Sequence, residues 1–104
     1  MHGISIRYEF SGDEEKWEAA VRVFIAAIDA DPEVSGRFTY RVNKAKEGNM
    51  RVHWGSWDRP ETVATLQSRD YFKAFAAELQ AMAGESLSAV PLTEWAHTTD
   101  VQTA

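Results

Sequence analysis

Three histidines in this 104-residue sequence can hold or pass a proton near neutral pH, and three tyrosines can donate a phenolic hydrogen bond in a buried place. His53 stands inside a strand-like stretch, directly before Trp54 and four residues before Trp57. Tyr8, Tyr40 and Tyr71 lie in segments with apolar periodicity, so each phenol is expected to be buried and to need a partner. Phe24, Phe72, Phe75 and Trp54 fall on the same apolar faces. Aromatic side chains that converge in this way stack against a planar ring, so the chemistry they suggest is the binding of a small aromatic molecule. His2 and His97 flank the first and last strand-like segments, but two imidazoles with no third ligand do not specify a metal site.

Composition removes several classes. There is no cysteine, which excludes disulfides, thiolate metal centres and cysteine nucleophiles. A net charge of −5 with scattered basic residues argues against nucleic acid as a partner. No apolar run reaches the ~20 residues of a membrane span and the first thirty residues are too charged for a signal peptide, so the expectation is a cytoplasmic protein. The chain contains no nucleotide loop, nucleophile elbow or paired-histidine zinc motif.

The elements that position these residues follow from periodicity. Gly3 to Phe10 alternates Ile4, Ile6, Tyr8 and Phe10 against Ser5, Arg7 and Glu9, a half-buried strand. Ser11 and Glu14 have capping-box spacing, and Trp17, Val21, Phe24 and Ile28 then form one helical face that ends at Asp31-Pro32. Phe38, Tyr40 and Val42 alternate in a second strand, joined through Glu47-Gly48-Asn49 to a third. In that third strand Met50, Val52 and Trp54 read as the inward set. Arg51, His53 and Trp57 fall on the other face, with His53 paired to Glu9 or Glu94. Asp58, Pro60 and Glu61 predict a capped short helix, with Asp58 accepting from its first amides. A second amphipathic helix carries Phe72, Phe75, Leu79 and Met82 up to Gly84. Leu87 to His97 reads as a fourth strand held at an edge or bulge by Pro91, and residues 98–104 as a polar tail. The sum over residues 3–97 is a single α+β domain, a ferredoxin-like βαββαβ fold with a four-stranded antiparallel sheet.

The strand that ends in Trp-x-x-Trp, the capped short helix and the run from Ser68 through Tyr71-Phe72-Lys73-Ala74-Phe75 resemble the central segment of the antibiotic biosynthesis monooxygenase family. The resemblance implies a dimeric α+β barrel, in which two sheets meet face to face as a homodimer. It also implies a pocket between helices and sheet, lined here by Tyr8, Phe24, Tyr40, Trp54, Tyr71, Phe72 and Phe75. The implied activity is monooxygenation of an aromatic, quinol or polyketide-type molecule with no cofactor. Such a reaction calls for a base and for groups that hold the substrate anion, and His53 and Trp57 are the candidate catalytic residues. Many relatives carry a histidine where this chain has Leu66, and heme-degrading relatives carry one near Phe75 and Ala76. The alternative reading is therefore a non-catalytic dimeric module of the same fold that binds a small molecule or plays a structural part.

Overall fold

The computed structural model describes residues 2–98; Met1 and residues 99–104, which hold most of the expected polar tail, lie outside the described part. The elements run β1 (His2–Glu9), α1 (Glu14–Ala30), β2 (Phe38–Lys44), β3 (Met50–Trp57), α2 (Pro60–Ser68), α3 (Asp70–Ala83) and β4 (Ser88–Thr93), with a single 3-10 turn at Gly84–Ser86 before β4. The four strands make one antiparallel sheet in the order β2-β3-β1-β4, the ferredoxin-like arrangement. Pro91 lies on β4, an edge strand, where its missing amide costs no ladder bond on the outer side.

Helix α1 buries Trp17, Val21, Phe24 and Ile28, the face that the spacing predicts. Its cap is Asp13 rather than Ser11: the Asp13 carboxylate accepts from the amides of Glu15 and Lys16. The cap of α2 also differs from expectation. Asp58 accepts from the Thr62 hydroxyl at 2.6 Å and from the Arg59 amide, one residue short of the helix's own orphan amides. Helix α3 buries Phe75, Leu79 and Ala83 and ends at Gly84, which has a φ of 57°. The β2–β3 hairpin turns through Gly48 at a φ of 82°, and the Ala45 amide donates to the Met50 carbonyl across it.

The register decides which face each strand residue takes. Residues directly opposite each other share a face, so Val42, His53 and Ile6 form one row and Tyr40, Gly55 and Ile4 the next, both beneath the helices. Arg41, Trp54, Ser5 and Val90 form a row on the face without helices. The face assignment of β3 is thus the reverse of the one its apolar alternation suggests. A shift of one residue moves every side chain of a strand to the other face, and here β1 and β2 set the register.

The reversal is tolerated because the inward polar side chains of β3 are paired, with only Arg51 Nε left buried without an acceptor among the described residues. Arg51 is buried, reaches Glu14 at 2.6 Å and lies over the Trp17 ring at 4.5 Å. His53 is wholly buried between two tyrosines.

Candidate functional site

A cavity of about 130 Å³ opens between the sheet and the pair α2 and α3. Its floor is Ile4, Ile6, Phe38, Tyr40 and Trp57, and its roof includes Phe24, Val63, Leu66, Phe72, Phe75 and Leu79. Gln67 is a polar side chain at its wall. Phe24 and Phe75 stack nearly parallel at 4.1 Å, and Tyr40 meets Phe24 edge-on at 5.2 Å. Phe38 stacks on Trp57 at 5.7 Å. The floor is low at Gly55, since a Cβ there would lie 3.0 Å from Phe38 Cζ and 3.3 Å from Ile4 Cγ2. Apolar cavities of about 150 Å³ accept benzene, so this volume suits one aromatic ring and is too small for a fused polycycle.

One polar chain reaches the cavity. Tyr40 lines it, and the Tyr40 hydroxyl lies 2.5 Å from His53 Nδ1. His53 Nε2 lies 2.7 Å from the Tyr8 hydroxyl, which accepts from Trp17 Nε1 at 2.7 Å. Burial pushes His53 down to about 4, so the imidazole is neutral at physiological pH. Burial also raises Tyr40 and Tyr8 above the ordinary phenol range, so both stay protonated.

The nine candidate residues fall into three groups. Phe24, Tyr40, Phe72, Phe75 and Trp57 line the cavity. Tyr8 and His53 stand behind Tyr40, away from the cavity wall. Trp54 and Tyr71 are elsewhere. Trp54 is 54 % exposed on the open sheet face because of the β3 register. The Tyr71 hydroxyl donates to Asp31 Oδ2 at 2.8 Å, where Arg69 also binds at 2.9 Å. Burial first, and then the bond to Asp31, pushes Tyr71 up to about 12; Arg69 and then Tyr71 hold Asp31 below the usual carboxylate range. That cluster ties the C-terminus of α1 to the start of α3.

His53 accordingly faces the helices, and not the open face or a glutamate partner. Trp17 also belongs to the polar chain, although its spacing alone marks it as a core residue; its place on the α1 face, nine residues after Tyr8, is the signal for the contact. Among the described residues no group of three metal-ligating side chains converges, and no helix is long and apolar enough to cross a membrane.

The structure is similar to several solved proteins. Rv0793 from Mycobacterium tuberculosis superposes with a TM-score of 0.76 at 10 % identity, over 94 % of this chain and 98 % of that one. SnoaB from Streptomyces nogalater, a cofactor-independent oxygenase, gives 0.75 at 14 % identity, over 95 % and 97 %. A structure described as an antibiotic biosynthesis monooxygenase gives 0.65 at 9 % identity, over 92 % and 100 %. No protein-family profile and no curated protein matches the sequence. At these identities the likeness shows the fold, which is the α+β fold of the antibiotic biosynthesis monooxygenase structures.

Proposed function

We propose that this protein is a cofactor-independent monooxygenase of single-ring, electron-rich hydroxylated aromatics, bound in the cavity beneath α2 and α3 with Tyr40 against the ring oxygen. The observation that carries the reading is an apolar, ring-sized cavity with one hydroxyl on its wall, backed by a buried imidazole. The likeness in fold to SnoaB, a cofactor-independent oxygenase, supports it.

The chemistry needs dioxygen as the only oxidant. A phenol or hydroquinone loses its hydroxyl proton to solvent, and the anion passes one electron to dioxygen. The phenoxyl radical, whose unpaired electron is shared with the ring, and superoxide join at a ring carbon that bears hydrogen, forming a C–O bond. The peroxide takes up a proton, the O–O bond breaks with loss of the ring hydrogen, and water leaves. The balance is one phenolic O–H and one ring C–H plus dioxygen giving a quinone, with two ring C=O groups, plus water.

Tyr40 remains protonated and donates a hydrogen bond to the developing oxyanion, which is stabilised more strongly in an apolar site than in water. Phe24 and Phe75 hold the ring by stacking, and the apolar walls keep water from the radical pair. His53 positions Tyr40, and Trp57 is part of the wall rather than an acid or base.

The protein also pairs with a second copy through the open sheet face. There Trp54 is 54 % exposed, Val90 and Leu92 are 49 % exposed and Met50 is 41 % exposed, an apolar patch beside Arg7 and Arg41.

A second reading, a non-catalytic module that binds a ring, is favoured by Leu66. Its aliphatic side chain is wholly buried in the cavity wall at the position where the resembled family often carries a histidine. Oxygen consumption separates the two. With a panel of substituted hydroquinones and catechols, the enzyme reading expects substrate-dependent uptake that falls about 100-fold in Tyr40→Phe. Ring binding without uptake across the panel refutes it in favour of the passive module.

A further inference from the structure

We infer that Trp17, acting through Tyr8, fixes His53 as the Nδ1-protonated tautomer and thereby makes Tyr40 a hydrogen-bond donor toward the cavity. The inference rests on the reading that the cavity takes a hydroxylated ring, and it decides which form of that ring the site prefers.

The protons along this one chain of hydrogen bonds can be counted. Trp17 Nε1 carries a hydrogen and is a donor in every state, so at 2.7 Å the Tyr8 oxygen accepts from it. The indole cannot turn away, because Arg51 lies over it at 4.5 Å, Lys44 at 5.5 Å and Phe10 stacks on it at 6.5 Å. Tyr8 is buried, and among the described residues its hydroxyl has two partners, Trp17 and His53. Its own proton therefore goes to His53 Nε2: the opposite arrangement would leave the Tyr8 hydrogen with no acceptor in the closed core, whereas Tyr40 is less buried and lines the cavity, where an occupant can accept its hydrogen.

A neutral imidazole has one N–H. With Nε2 accepting, the hydrogen is on Nδ1 and is donated to the Tyr40 oxygen. Tyr40 keeps its own proton, and among the described residues nothing else accepts it. The side chain that lines the cavity thus presents a donor to whatever enters.

This assigns His53 differently from a general base. Both of its nitrogens are committed, and it takes no proton through Tyr40. Tyr8 from β1 and Tyr40 from β2 are the titratable groups that face the ring. The charges of the Arg51–Glu14 pair, on β3 and α1, act on Tyr8, and α3 contributes Phe75. A hydroxyl donor at the ring oxygen favours an anionic ring over a neutral one. Trp17 and Tyr8 are positioning residues, since neither lines the cavity.

The test needs no substrate. Long-range proton–nitrogen correlation spectra of the whole protein with 15N-labelled histidine, at neutral pH, read which nitrogen of His53 carries the hydrogen, with His53→Gln identifying the signal. The expected result is Nδ1–H in the native protein and partial or complete transfer to Nε2 in Trp17→Phe, which frees the Tyr8 oxygen to accept from Nε2. Nε2–H in the native protein, or unchanged Nδ1–H in a folded Trp17→Phe variant, overturns the inference.

A second readout does not depend on the variant folding. 4-Nitrophenol bound to the native protein is expected to ionise about one pH unit below the free compound, and a shift to higher pH contradicts a donor wall. If 4-nitrophenol does not bind although the spectra show Nδ1–H, the tautomer stands and the ring-binding reading fails.

Discussion

The buried imidazole makes a specific demand on acid stability. His53 is wholly buried and held down to about 4, against about 6.5 for an unfolded histidine. Between these values the unfolded chain binds a proton that the folded chain refuses, so stability rises with pH through that window. The contribution is complete above about pH 6.5 and falls as the pH drops, by ~3 kcal/mol at pH 4. At pH 5 the loss from this residue is ~2 kcal/mol.

The carboxylates held low by their partners, Asp31, Glu14 and Asp58, lose stabilisation in a separate range, below about pH 4.5. Urea unfolding at pH 8, 6.5, 5.5 and 5 checks the point. With a slope of ~1–3 kcal/mol/M, the midpoint should fall by roughly 0.7–2 M between pH 8 and 5. In His53→Gln, which puts an uncharged polar side chain in the same place, most of that dependence should vanish. An equal fall in native and variant proteins would refute the claim that His53 is buried and neutral.

Gly55→Ala should lower the affinity for single-ring ligands about tenfold, because its Cβ would lie 3.0 Å from Phe38 and push that ring into the cavity. Calorimetric titration with a phenol checks it, and unchanged affinity would place the ring elsewhere. If the proposed dimer forms, Trp54→Arg should shift the protein to a monomer in sedimentation experiments while leaving ring binding intact, since Trp54 is exposed on the sheet face opposite the cavity; a native protein that sediments as a monomer refutes the proposed dimer.

Strand β1, helix α1, strand β2 and helix α3 were legible in the sequence because each has one apolar face and one polar face. Strand β3 misled for a physical reason. Its most apolar set, Met50, Val52 and Trp54, faces outward, and its polar set is sheltered by partners drawn from three other elements: Glu14 and Trp17 on α1, Tyr8 on β1, Tyr40 on β2. Local alternation carries no information about such partners, because Tyr8 and His53 are 45 residues apart and meet only through the register of β1 on β3.

The aromatic wall was legible in part. Phe24, Phe72 and Phe75 follow from helical spacing, while Tyr71 leaves the wall for Asp31, a partner 40 residues away. The caps missed by one or two residues, as they do where several acceptors compete around a helix start, with Ser11 and Asp13 two residues apart.

The most direct test of the central claim is a crystal structure of the protein with a bound single-ring phenol. The ring is expected between Phe24, Phe75 and the sheet, with its oxygen within hydrogen-bond distance of the Tyr40 hydroxyl. A ring bound on the open sheet face, or one in the cavity with its oxygen turned away from Tyr40, would contradict it.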